Sequence, residues 1–163
     1  MNIQEALQKA IKGEIEGREL YRTAAERTSD GKAQEVFNLL ADEEQNHLNS
    51  LVQMAKDYEE GKELQMPELS SPVSFEDAES PIFTREFKEK VSDFDMSAIS
   101  IGIKLELESE KFYRDTAGEA SQKEVKELFS RLADWEHGHY DYLQKQQSFF
   151  ENYYSNKYSF FRF

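Results

Sequence analysis

The chain repeats itself. Shifted by 92 residues, Ile11–Ala25 (IKGEIEGRELYRTAA) falls on Ile103–Ala117 (IKLELESEKFYRDTA), with Ile, Lys, two glutamates, Tyr, Arg and Ala in register. The same shift carries Phe37 onto Phe129, Leu40 onto Leu132, Asp42 onto Asp134, Glu44 onto Glu136 and His47 onto His139, with no gap inside either half. Internal identity at a fixed spacing marks a duplicated structural unit, and each copy must bury its apolar face against the other.

The unit is helical. Only three prolines and seven glycines interrupt a chain of 163 residues, a third of them charged, and that length is one domain's worth. Apolar residues recur at helical spacing in four stretches. The first, Ile3 to about Thr28, puts Ile3, Leu7, Ala10, Ile11, Ile15, Tyr21 and Ala25 along one side, and TSDGK follows as a turn with Gly31 as breaker. The second, about Ala33 to Glu60, points Val36, Phe37, Leu40, Leu48, Leu51 and Val52 inward. The third, about Met96 to Gly118, carries Ile99, Ile103, Leu107, Phe112 and Tyr113, and GEASQ turns the chain into a fourth from Lys123 to about Tyr153.

These stretches predict an all-α, four-helix bundle made of two duplicated hairpins in a single domain. Hairpin 1 covers about residues 1–60 and hairpin 2 about 95–153. The connection, 61–94, holds all three prolines and a candidate short helix at TREFKEKV, and its length is expected to let the second hairpin start at the same end of the bundle as the first. The last residues, 154–163, complete an aromatic tail expected to fold over the bundle end or pack on a second subunit.

The repeated polar residues carry the chemistry. On a helix, positions i and i+3 share a side and i+7 returns nearly to the azimuth of i. Glu44 and His47 therefore present a carboxylate and an imidazole to one point, as do Glu136 and His139, while Glu14 pairs with Tyr21 and Glu106 with Tyr113 two turns apart. These faces also carry the aliphatic residues that point inward, so packing buries four carboxylates and two imidazoles at the bundle centre. Uncompensated, that burial is prohibitive. Two divalent cations balance the charge, and a Glu from each of two helices plus Glu-x-x-His from the other two is a known di-metal pattern. Oxygen and imidazole donors without thiolate suit iron or manganese, with zinc or cobalt able to substitute. An isolated Glu-x-x-His is ordinarily a solvated pair; two of them at equivalent places of a repeat, in a chain with three histidines, are not.

The motifs EIEGRELY, ADEEQNH, ELESEKFY and ADWEHGH resemble those of the ferritin-like superfamily, in particular rubrerythrin-type proteins lacking a rubredoxin domain. The resemblance covers the chain apart from its tail. It implies a ferritin-like fold and a non-haem di-iron centre ligated by Glu14, Glu44, His47, Glu106, Glu136 and His139. Glu44 and Glu136 would bridge, Glu14 and Glu106 would be terminal, and Tyr21 and Tyr113 would donate to carboxylates and serve the catalysis. Such proteins carry an extra carboxylate three residues after the third-helix ligand. Ser109 stands there, leaving Glu110 as the candidate substitute. Glu43 could orient a histidine of the other hairpin but is expected on an exposed face, its counterpart Trp135 being unable to accept a hydrogen bond. His137 is expected at the surface, Glu16 and Glu108 facing away, and Asp42 and Asp134 in inter-helix ion pairs.

A formal charge of −13 argues against nucleic acid. No apolar run reaches membrane-span length and the amphipathic N-terminus has no signal-peptide core, so a cytoplasmic location is expected. With no cysteine, electrons must come from a separate rubredoxin-like or flavin protein. The resemblance implies reduction of hydrogen peroxide, an oxidative-stress role, and a homodimer. The alternatives are a ferroxidase using O₂ or peroxide, oxygenation of an organic substrate, and a metal-binding bundle without turnover.

Overall fold

In a computed structural model the described residues, 2–64 and 93–159, form four helices: α1 (Ile3–Arg27), α2 (Gly31–Glu59), α3 (Asp93–Glu119) and α4 (Lys123–Ser159). Local chemistry sets their ends. The Asn2 side chain accepts from the backbone N–H groups of Gln4 and Glu5, capping α1. Asp30 accepts from Ala33 at 2.9 Å and caps α2, so Gly31 opens that helix instead of breaking the chain. Gly61 ends it. Its φ of 65° is the left-handed conformation glycine adopts without a Cβ penalty, and the turns Gly61 N–H to Tyr58 and Lys62 N–H to Asp57 satisfy the last carbonyls. At the C-terminus α4 continues past the expected end at Tyr153 to Ser159, so the described part of the tail is helix. The candidate short helix at TREFKEKV lies outside the described residues.

α1 packs against α2 and α3 against α4, forming the two hairpins, and α1 also lies along α3. Two apolar clusters plug the bundle. One gathers Tyr21, Phe37, Leu40, Ile99 and Leu143; the other gathers Leu7, Leu51, Tyr113, Phe129 and Leu132. The 92-residue shift exchanges them: Leu7 for Ile99, Tyr21 for Tyr113, Phe37 for Phe129, Leu40 for Leu132, Leu51 for Leu143. The halves are therefore related by a pseudo-twofold axis across the bundle. α1 starts in the second cluster and α3 in the first, so the hairpins start at opposite ends, contrary to the expectation of a shared end. The reason is geometric. The long connection permits either end, and with the transverse axis the two half-sites face each other at one centre while α3 runs antiparallel to α1.

Three residues expected inside are exposed: Ile15 (38 %), Val52 (47 %) and Leu107 (49 %). Ile15 and Leu107 are repeat equivalents, each one step, about 100° of helix rotation, beyond a glutamate. The inward azimuth belongs to Glu14 and Glu106, and their neighbours turn outward.

Candidate metal centre

Between the apolar plugs, each helix contributes its repeated polar residues to one point. Glu14, Glu44, His47, Glu106, Glu136 and His139 are all 1–3 % exposed. They form two groups, Glu14–Glu44–His47–Glu136 and Glu44–Glu106–Glu136–His139, and the donor atoms within each lie within 4.8 Å of one another. Glu44 and Glu136 belong to both.

The shared carboxylates are divided between the halves. Glu136 turns Oε1 to His47 Nδ1 at 3.1 Å and Oε2 to His139 Nδ1 at 4.0 Å. Glu44 turns Oε1 to His139 Nδ1 at 3.3 Å and Oε2 to His47 Nδ1 at 3.9 Å. Glu14 Oε2 lies 3.3 Å from His47 Nδ1, and Glu106 Oε2 lies 3.6 Å from His139 Nδ1. The imidazole rings are 5.7 Å apart and nearly parallel. Each histidine thus stands nearer to the shared glutamate of the opposite hairpin than to the one three residues before it.

A polar cluster this deep should satisfy its own atoms, yet Glu14 Oε2, Glu44 Oε1, His47 Nδ1 and Glu136 Oε1 make no hydrogen bond. All four atoms face the centre. Four carboxylates and two imidazoles with such unbonded, converging atoms fit two divalent cations, which would take up those lone pairs and offset the charge. In the protein alone, protons must do that work. Burial, together with the charges of Glu14 and Glu106, pushes Glu44 well above the usual carboxylate range; burial with the charges of Glu44 and Glu14 does the same to Glu136. For Glu14 the push of burial is outweighed by His47 and by hydrogen bonds, and it stays low. For Glu106, burial is outweighed by hydrogen bonding to Glu136, His139 and Tyr21, holding it at about 2. Burial lowers His139, but Glu106, Glu43 and Glu44 raise it well above the ordinary histidine value.

The tyrosines cross between hairpins. Tyr21 donates its hydroxyl to Glu106 and Tyr113 donates to Glu14, each to the glutamate of the other half. Two glycines make room. A Cβ on Gly17 would stand 3.4 Å from the Glu44 carboxylate, and one on Gly102 would stand 3.1 Å from the Tyr21 hydroxyl. Burial and the neighbouring glutamates raise both phenols well above their ordinary value.

Glu43 departs from its expected exposed face. It is 7 % exposed, and its Oε2 lies 2.5 Å from His139 Nε2. Its repeat equivalent Trp135 stacks on His47 with ring centroids 4.8 Å apart. The signal was present in the motif, where Glu43 stands one position before Glu44, but azimuth alone left it between interior and surface. Glu110 does not join the centre. It accepts from Arg114 at 2.8 Å and faces exposed His137 at 3.0 Å, so among the described residues the absent third-helix carboxylate has no substitute there. Glu16 and Glu108 face outward as expected, pairing with Lys12 and Lys104, and Asp134 reaches Arg114 on α3.

The sequence model of the rubrerythrin family matches residues 5–147, spanning all four helices and all six converging residues. The chain belongs to the rubrerythrin family. A hypothetical protein from Pyrococcus furiosus has a similar solved structure, with 28 % identity, 94 % of this chain and 92 % of that one covered, and a TM-score of 0.69. No functionally curated protein matches this sequence. Like other rubrerythrin-family chains, this one is an all-α bundle whose Glu/His clusters fit a di-metal carboxylate centre. Among the described residues no helix is long and apolar enough to cross a membrane.

Proposed function

We propose that the paired clusters hold two iron ions and that this rubrerythrin-family protein reduces hydrogen peroxide to water. Glu14 and His47 would hold one ion, Glu106 and His139 the other, with Glu44 and Glu136 bridging. The observation that carries this reading is the division of both shared carboxylates, one oxygen toward each histidine. A reduced iron pair, when bound, supplies two electrons and Lewis acidity. Conversion of H₂O₂ to two waters also consumes two protons. Those protons come from solvent, while Tyr21 and Tyr113 keep theirs at the phenolic oxygens and hold the Glu106 and Glu14 carboxylates through their hydrogen bonds. A groove of about 460 Å³ between α1 and α3 is lined in part by Gly13, Ser109 and Tyr113, the phenol that donates to Glu14. Because the chain has no cysteine, a separate rubredoxin-like or flavin protein would restore the electrons.

The test is anaerobic Fe(II) reconstitution, followed by stopped-flow absorbance on mixing with H₂O₂ and, separately, with O₂. Two irons per chain and much faster oxidation by peroxide are expected. Preference for O₂ would favour ferroxidase chemistry, and inertness toward both oxidants would leave a metal-binding bundle without turnover. A folded protein that takes up no iron would remove the ligand assignment.

A further inference from the structure

The two halves of the centre are not equivalent, because the repeat places Glu43 and Trp135 at matching positions beside it. On one side, Glu43 Oε2 lies 2.5 Å from His139 Nε2. In the neutral, ligating form of the imidazole, a carboxylate there accepts the Nε2 proton and leaves the Nδ1 lone pair to face Glu44 and Glu106, whose oxygens lie 3.3 and 3.6 Å away. On the other side, the Trp135 indole lies over the face of His47 at an interplanar angle of 19°. An indole has a donor and no acceptor, so it cannot select the His47 tautomer in this way. Among the described residues, every carboxylate within ion-pairing distance of His47 approaches Nδ1.

We infer that the two metal positions fill in order, the Glu43-supported position at His139 first and the Trp135-covered position at His47 second. Three differences act together. Glu43 holds its imidazole in the ligating tautomer, makes it a stronger donor, and adds a negative charge to its half. A carboxylate behind a ligating histidine is typically worth a factor of about 10–100 in metal affinity. Trp135 contributes packing to the second position but no charge and no acceptor. Glu43 is thus a positioning residue, acting on the metal through His139. The inference rests on the two-metal reading above.

Zn(II) is the probe, being diamagnetic and free of redox chemistry. The full chain, labelled with ¹⁵N-histidine, is titrated by calorimetry and followed by imidazole ¹⁵N shifts. Three histidines give a resolved spectrum, with exposed His137 as internal control. His139 Nδ1 is expected to shift during the first equivalent and His47 Nδ1 during the second. Glu43→Gln, close in shape, should weaken the first step about 10-fold, and Glu43→Ala up to about 100-fold, leaving the second step in place. Trp135→Glu should tighten the second step and draw the two together. Uptake of two ions with His47 shifting first, or with both histidines shifting in parallel, would overturn the ordering while leaving the two-metal reading intact. An unchanged first step in both Glu43 variants would do the same. Binding of fewer than two ions by the folded chain would overturn the two-metal reading and the ordering with it.

Discussion

Tyr113→Phe removes one hydroxyl and leaves the ring on which it sits, packed 5.6 Å from Phe129, in place. What it deletes is the donor to Glu14. Tyr113 is 1 % exposed and Glu14 2 %, so water cannot readily replace the lost bond. Glu14 stays ionised in the cluster, and a hydrogen bond to a charged group contributes about 1.5–3 kcal/mol. For a domain of this size each kcal/mol moves Tm by about 2–4 °C, so the metal-free variant should melt about 3–12 °C below the parent. Scanning calorimetry at neutral pH measures it. Glu14→Gln and the double variant complete a cycle, in which contacting partners should show a coupling of about 0.5–3 kcal/mol. With Zn(II) bound, the ion shares the Glu14 charge and the Tm deficit should shrink. A deficit below about 1 °C, or an additive double variant, would refute the argument that this phenol holds the buried carboxylate.

Two further outcomes follow from the same geometry. Glu44 and Glu136 have raised values in the metal-free protein, so their stabilisation is complete below the unfolded carboxylate value of about 4.3 and is lost as pH rises through their folded values. Glu106, held at about 2, has the opposite sign, stabilising above about 4.3 and losing that contribution as pH falls toward 2. Bound cations replace the protons on Glu44 and Glu136, so the Tm gap between Zn(II)-loaded and metal-free protein should widen as pH rises above the unfolded carboxylate value of about 4.3; a constant gap counts against proton-for-metal exchange. The glycines give a pair of opposite signs in urea denaturation. Gly13→Ala, whose Cβ meets nothing within 4 Å, should stabilise by about 0.5–1 kcal/mol. Gly102→Val, whose Cβ would stand 3.0 Å from Leu143 and 3.1 Å from the Tyr21 hydroxyl, should destabilise by about 1–3 kcal/mol, and stabilisation by both would contradict the packing at Gly102.

What the sequence by itself determined is whatever helical period and duplication can carry. Glu44 and His47 share a side at any tertiary arrangement, because a three-residue step returns to nearly the same azimuth, and the 92-residue repeat supplies Glu136 and His139 in the same relation. Charge then demanded that six such residues meet compensating cations if buried together. That logic yielded the four helices and the convergence of all six residues. It could not yield the direction of the second hairpin, since a long connection permits either end; only the exchange of Leu7 for Ile99 between the apolar clusters reveals the transverse axis. Nor could it pair the tyrosines. Glu14 and Tyr21 share a helix face, yet the antiparallel packing of α1 on α3 carries each phenol to the other helix's glutamate. Residues at the edge of the inward arc were undecided for the same reason. Ile15 and Glu43 both sit one step from a converging glutamate, and the neighbour each met in the packed bundle, open solvent for Ile15 and the His139 imidazole for Glu43, decided which one was buried.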